Sequence, residues 1–353
     1  MEIYNNSIAL TQQFRHCGNP FRIDTYKGCN FGCKYCFATT RGGNINKDWS
    51  VADIEQIKKI FYKALETDKE SKNIVIEMLR HKVPLHLGGM ADPFQSREKE
   101  YKVTYKLLEL TKQYNYPMMI STKTAHLDDE YFDVLDPNIH AFQISLMSMN
   151  EDFIREFELN TPTPKERKAF VQLLKDKNFW VGIRIQPLID VEEGKSVILQ
   201  CGNIVDFITI EHIKIGNDNS NKIEMFKSMN LNPSDFVSVG REYEFKEEIK
   251  RKNIEYLKQF CKCPIGCGDN EIHELGDTLN CCGIDTINEN FNNWIKYNSM
   301  YINKTNDKTQ WFPKCSCHNC FNSECKKQGF NFNDYVNDYM SKDIVIKQCK
   351  VKL

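Results

Sequence analysis

At about 150 residues per domain, the 353-residue chain holds roughly 2.4 domains' worth of sequence, so it is either one barrel-sized domain with an appendage or two ordinary domains. Lys and Arg number 47 and Asp and Glu 48, a net charge of -1, which excludes a global basic field for holding a nucleic-acid backbone and leaves room only for a local basic groove. Hydrophobic residues at 41% with 12% aromatics exclude a mainly disordered chain.

The N-terminus, Met1 to Asn6, carries an early acid and no apolar core of a signal peptide, and no run of 18 uncharged apolar residues follows. The expectation is a soluble, cytoplasmic protein. Cytosolic thiol pools keep cysteines reduced, so the fifteen cysteines point to metal or redox chemistry rather than to a disulfide framework. They fall into three at Cys29, Cys33 and Cys36, nine between Cys261 and Cys325, and three singles at Cys17, Cys201 and Cys349. The singles read as small buried hydrophobes.

The β-prone run at 21–26 predicts a first strand, followed by a loop from Gly28 to Ala38 that contains Cys29, Cys33 and Cys36 in C-x3-C-x2-C spacing. Three thiolates within eight residues can wrap one metal centre. A structural zinc would need a fourth ligand nearby, and the next cysteine is Cys201, so the loop suggests an iron-sulfur site left open for a reactant. A zinc loop with a distant fourth ligand is the alternative.

This motif, including Tyr35 just before the third cysteine, resembles the signature of the radical S-adenosylmethionine (SAM) superfamily. The resemblance implies that Cys29, Cys33 and Cys36 bind three irons of a 4Fe-4S cluster and that the fourth iron chelates SAM. One electron then cleaves SAM to a 5'-deoxyadenosyl radical that takes a hydrogen atom from a substrate. It also implies a role for Tyr35 in cofactor binding and an external electron donor such as flavodoxin, ferredoxin or a reductase.

Further along, helices are predicted at 51–67, with Ser50 as N-cap, and at 98–114, 128–135, 165–177 and 192–200. Strands are predicted at 83–87, 118–122, 141–146, 181–186 and 207–211. Six βα repeats over about 190 residues fit an open, partial (β/α)6 barrel of the TIM type, an α/β fold in which ligands gather at the C-terminal ends of the strands. The cysteine loop occupies that end of the first strand.

The second strand leads into Gly88-Gly89-Met90-Ala91-Asp92-Pro93-Phe94-Gln95, a turn whose glycines allow close backbone approach to a ligand. With residues 117–123, 143–146, Glu158, 162–167 and 181–189, it resembles the radical SAM subfamily of spore photoproduct lyase relatives, over roughly residues 18 to 215. The resemblance implies that Gly88 and Gly89 bind the SAM amino group and makes Lys123 and Arg184 candidates for its carboxylate or ribose and Ser145 a candidate ribose contact. Each also has a bland reading as a turn, an ordinary ion pair or a turn hydroxyl. One departure stands out: that lyase carries a hydrogen-donating cysteine at the end of its second strand, where this chain has Gly88-Gly89-Met90. Thymine-dimer repair is weakened accordingly, and nucleic acid is not the expected partner.

From about residue 220 the sequence turns polar and cysteine-rich, so a boundary is placed there: 1–220 as the barrel and 221–353 as a region that binds metal or completes the active site. Cys261, Cys263, Cys267, Cys281 and Cys282 form one group; Cys315, Cys317, Cys320 and Cys325 form another. An auxiliary iron-sulfur cluster and a structural zinc are both open. Cys281 and Cys282 are candidate hydrogen donors in place of the missing strand-two cysteine.

The function expected is a radical SAM lyase acting on a small heterocyclic, nucleobase-like substrate, with queuine lyase, in queuosine salvage, as the best match. Asp92, Glu158 and Glu211 are candidate acids for such a base, each with a reading as a solvated or structurally paired acid. The alternatives are a DNA or RNA repair or modification lyase and a non-catalytic iron-sulfur redox module. Oligomeric state is not legible.

Overall fold

A computed structural model describes residues 2–10, 19, 21–39, 49–69, 71, 73–216, 222–240, 242–278, 280–293, 300–301 and 312–313. Its centre is an eight-stranded sheet. Seven strands run parallel: β1 (Phe21–Ile23), β2 (Leu85–Leu87), β3 (Met118–Thr122), β4 (His140–Ser145), β5 (Val181–Leu188), β6 (Phe207–His212) and β7 (Ile265–Cys267). They lie side by side in chain order, and Ile8–Leu10 pairs antiparallel with β1 at the edge. Parallel strands need crossovers, and helices supply them on the outer face. Among these are α1 (Ile54–Leu65), α2 (Val103–Gln113), α3 (Pro164–Asp176) and α4 (Val191–Cys201), with α5 (Glu247–Lys258) preceding β7. The fold is therefore the α/β partial barrel expected, with its six predicted strands present.

Two expected elements differ in detail. Residues 50–52 form a short strand between Glu2–Tyr4 and Tyr26–Lys27 rather than the start of α1, because Val51 is buried there. Asp53, not Ser50, caps α1, its carboxylate accepting from the amides of Glu55 and Gln56 at 3.0 and 3.1 Å. The helix predicted at 98–114 breaks at Lys102, whose φ is +52°, into Glu98–Tyr101 and α2. The cause is Glu98. Its buried carboxylate accepts from the amides of Thr104 and Tyr105 at 2.9 and 2.8 Å and from the hydroxyls of Tyr26 and Tyr131, so it caps α2 from the preceding turn.

The parallel strands are buried on both faces, as such sheets require. Their outward side chains, such as Ile120, Phe142, Ile144, Ile183, Ile185, Ile208 and Ile210, join the helices in the main core. A small antiparallel sheet of Lys214–Gly216, Glu242–Phe245 and Phe236–Val239 builds a second core with Met147, Phe157 and Phe226, against which Tyr35 of the cysteine loop packs. Among the described residues no helix is long and apolar enough to cross a membrane.

The barrel floor comes from far along the chain. The turn at 280–284 inserts at the N-terminal ends of the strands, where Cys282 and Ile284 join Met119, Ala141, Trp180, Phe207 and Phe291 in a third apolar cluster. Gly266 of β7 permits the insertion: a Cβ there would stand 2.4 Å from the carbonyl oxygen of Cys281.

Candidate radical SAM site

The cysteine loop follows β1 and lies at the C-terminal end of the barrel. Two segments clamp it. Lys34 donates its amide to the Phe157 carbonyl at 2.9 Å and Asn160 donates its amide to the Phe31 carbonyl at 3.0 Å, while the Asn160 side chain reaches the Asn30 carbonyl at 2.9 Å. From the other side, the buried Gln95 amide donates to the Gly28 carbonyl at 2.8 Å, and Asn30 donates to the Ser96 hydroxyl. Cys29, Cys33 and Cys36 are half-buried and free of disulfides.

Beneath the loop lies one carboxylate. Glu158 has no exposed side-chain surface, yet it is surrounded by cations: Lys123 at 2.9 Å on one oxygen and Arg167 on the other. Tyr35 donates its hydroxyl to Glu158 and accepts from Lys123 at 3.1 Å. Burial alone would raise the Glu158 acid, but Lys123 and Arg167, with the Tyr35 hydroxyl, hold it down at about 2. Arg167 is itself fully enclosed and also donates to the carbonyls of Pro162 and Ser145 at 3.0 and 2.9 Å. The same carboxylate thus joins the cysteine loop, the end of β3 and the start of α3.

Asp92 is a second internal anchor. It is buried and accepts from the Thr122 hydroxyl at 2.9 and 3.0 Å and from the amides of Phe94 and Lys123 at 2.9 and 2.7 Å, which staples the loop after β2 to the end of β3. Burial pushes its acid up, against the pull of those donors. Gly88 has φ of +87°, and a Cβ there would lie 2.2 Å from the Ser121 carbonyl oxygen, so only glycine fits. Gly89, Met90 and Ala91 turn their amides onto the buried carboxylate of Asp24, with Met90 at 2.8 Å.

The residues around the loop fit a 4Fe-4S cluster and SAM. Burial pushes the Cys29 thiol up to about 11 and the Cys33 thiol up to about 12, and the amides of Asp92 and Phe31 donate toward the Cys29 sulfur. Thiols held this way ionise when a metal takes them. Two buried acceptor atoms beside the loop, Gln95 Oε1 and Asn30 Oδ1, have no partner in the protein, as expected of a pocket wall prepared for a further group.

Inside the barrel, below the loop, inward side chains form a polar chamber. His86 faces Ser121 at 2.7 Å; Ser121 donates to Gln143 at 3.2 Å; Gln143 donates to the Cys282 carbonyl at 3.1 Å. Arg184, a candidate SAM contact from sequence, reaches into this chamber, donating to Gln186 at 2.6 Å and Gln143 at 3.3 Å. Ser145 ends β4 beside it, in register with Arg184. Glu211 lines the same wall, accepting from Lys214 at 2.9 Å and Gln186 at 2.5 Å. All three acids considered for a substrate accept from the protein's own donors; of them Glu211 stands on the chamber wall, while Asp92 and Glu158 are enclosed.

Cys282, expected as a hydrogen-donating thiol, is instead a floor residue. Its sulfur is buried, lies 3.0 Å from Asn280 Oδ1, and accepts from Asn19 at 3.2 Å. Cys281 is half-buried, and its carbonyl accepts from Thr209 at 2.8 Å. The pair supplies backbone to the floor, at the opposite end of the strands from the cysteine loop. Cys261, Cys263, Cys267, Cys281 and Cys282 form no disulfide. Among the described residues the single compact set of possible metal ligands is Glu244, Asp269 and Glu271, and Lys250 sits among them, 2.7 Å from Glu244. Cys17, Cys315, Cys317, Cys320, Cys325 and Cys349 lie outside the described residues. Sequence reading missed Arg167, Asp24, Arg22 and His86. The alternation of inward positions along β1 and β2 was the available signal for the last three.

Residues 23–193 match the family model described as the Radical SAM superfamily. That stretch, 171 of the 353 residues, is similar to a radical SAM domain. Its fold is similar to that of a spore photoproduct lyase variant solved with dinucleoside spore photoproduct, at a TM-score of 0.52 and 14% identity over 69% of this chain and 73% of that one. A second spore photoproduct lyase variant gives 0.52 and 14% over 73% and 77%. An uncharacterised protein of Mycobacterium tuberculosis is 23% identical over 183 residues, 48% of this chain and 50% of that protein. The chain thus spans about half the length of the curated relatives it matches.

Proposed function

We propose that the protein is a radical SAM lyase, with Cys29, Cys33 and Cys36 holding a 4Fe-4S cluster and the barrel chamber holding a small heterocyclic substrate. The observation that carries this reading is the cysteine loop fixed over the open end of the barrel by Glu158, Lys123 and Arg167, directly above a polar chamber closed from below. When bound, the cluster and SAM supply one electron and a carbon radical that takes a hydrogen atom from the substrate. The chain's own residues do the rest. Tyr35 and Lys123 shape the rim, the Gly88-Gly89 turn allows close backbone approach, and the floor excludes water from below.

Within this reading the favoured reaction is scission of the carbon-nitrogen bond of a queuine-type base, giving 7-aminomethyl-7-deazaguanine, with Glu211 as the acid for its guanidine-like edge. A cytoplasmic setting and a flavodoxin- or ferredoxin-type donor belong to the same proposal. The test is anaerobic reconstitution, then SAM with dithionite across queuine-type bases and oligonucleotides. The expected result is 5'-deoxyadenosine with a substrate-dependent new product from a free base. Product from oligonucleotides alone would favour a nucleic-acid lyase, and SAM left intact would favour a redox module.

A further inference from the structure

Two guanidinium groups in the chamber are only loosely ion-paired. Arg22 of β1 has a side chain 27% exposed, and its nearest carboxylate oxygen, on Asp24, is 3.5 Å away; its Nε is buried without a partner. That Asp24 carboxylate already accepts from the Gly89–Ala91 turn. Arg184 of β5 is 18% exposed, and its nearest carboxylate oxygen, on Glu211, is 3.8 Å away, beyond hydrogen-bond reach. Glu211 is itself engaged by Lys214 and Gln186, so the hydrogen bonds of Arg184 go to the neutral oxygens of Gln143 and Gln186.

His86 stands between them. Arg22 and His86 are register neighbours on β1 and β2, and Arg184 approaches from the far wall. Ser121 donates onward to Gln143, so the proton of His86 Nε2 points at Ser121 and leaves Nδ1 as a bare acceptor. After burial, the fields of Arg184 and Arg22 hold this imidazole neutral, down at about 3. Lys214 is faced by Glu244 and Asp269 as well as Glu211, so within the chamber Arg22 and Arg184 stand against Asp24 and Glu211 alone, with both arginine forks under-used. Partly buried guanidinium ions without bidentate partners are costly, and an incoming oxyanion supplies what they lack.

We propose that Arg22 and Arg184, on either side of His86, form a subsite for an oxyanion, a carboxylate or phosphate carried by the substrate. This rests on reading the chamber as the place where a heterocyclic substrate binds; it favours one that carries an oxyanion over the free queuine base, which has none, and it moves Arg184 from SAM to substrate.

The experiment uses reconstituted full-length protein and calorimetric titration with inorganic phosphate and, in a separate arm, acetate, at ionic strength held constant with chloride. Each titration is run with and without saturating SAM. Binding of at least one anion is expected, weakened at least tenfold in Arg22→Gln and in Arg184→Gln, less in the matching lysine variants, and unchanged in Lys195→Gln outside the barrel. Saturating SAM should leave anion affinity unchanged. The tighter of the two anions identifies the group. Absence of anion binding, retention of it in both glutamine variants, or displacement by SAM overturns the subsite; the last outcome returns Arg184 to SAM. If a glutamine variant fails to fold, competition between SAM and anion in the unaltered protein still decides. Failure of the reconstituted protein to bind or cleave SAM would instead overturn the proposed function, and the two failures are read separately.

Discussion

Glu158 and Lys123 stand 2.9 Å apart and join two segments that the chain separates by 35 residues. Since Tyr35 and Arg167 share the same carboxylate, one acid fixes the height of the cysteine loop above the barrel. Glu158→Gln keeps the shape and removes the charge, leaving Lys123 and Arg167 enclosed without compensation. A loss of about 3 kcal/mol is expected, the usual scale for breaking a buried pair from one side. Denaturant unfolding measures it, and an unchanged midpoint would sink the anchoring role.

The loop cysteines should differ from the others. Cys29→Ala, Cys33→Ala or Cys36→Ala should each lose bound iron and 5'-deoxyadenosine formation after reconstitution. Cys201→Ala should retain both, because Cys201 is buried at the end of α4 in the main core. Iron retained in all three loop variants would contradict the assignment.

The barrel strands were legible because parallel strands buried on both faces read as short apolar runs, and β3 falls on residues 118–122 as expected. The place of the cysteine loop after β1 was legible because its spacing is local in sequence. The helix break at Lys102 was not, since its cause, the Glu98 carboxylate reaching Thr104 and Tyr105, is a side-chain capping choice within an otherwise continuous helical pattern. Nor was the role of Glu158 legible: its partners Tyr35, Lys123 and Arg167 meet only after three crossovers have folded. Cys282 misled for the same reason, a reactive residue type whose surroundings, Met119, Trp180 and Phe207, are fixed by tertiary packing.

Gly88→Ala tests the close approach of the second loop to β3. The added methyl meets the Ser121 carbonyl at 2.2 Å in a backbone region that alanine resists, so the loop must move. A loss of more than about 2 kcal/mol is expected, together with weaker SAM binding. Calorimetric unfolding and SAM titration check the two effects; wild-type behaviour in both would contradict the geometry.

Buried His140 predicts an acid sensitivity away from the site. Its Nδ1 accepts from the Asp136 amide at 3.0 Å and its Nε2 faces Thr111 at 3.0 Å, so the neutral ring is fully paired. Burial pushes its proton affinity down to about 3, against the ordinary 6.5. Stability from the neutral ring is thus present above pH 6.5 and lost as pH falls from 6.5 toward 3. Between pH 7 and pH 5 the loss is about 2 kcal/mol. Urea unfolding at both pH values should show a dependence smaller by that amount in His140→Gln, and an identical slope would rule it out.

The wall and base of the chamber are contributed late. Strand β7 and the turn at 280–284 are among the last described parts of the chain to leave the ribosome, well after the cysteine loop. A nascent chain stopped before them presents β6 as a bare sheet edge and leaves the rings of Trp180 and Phe207 open to water. Folding thus has an order: the cysteine loop can form early, but the space beneath it is sheltered only once the tail end of the barrel has closed behind it, and on the proposed function that shelter comes after iron can be offered to the sulfurs.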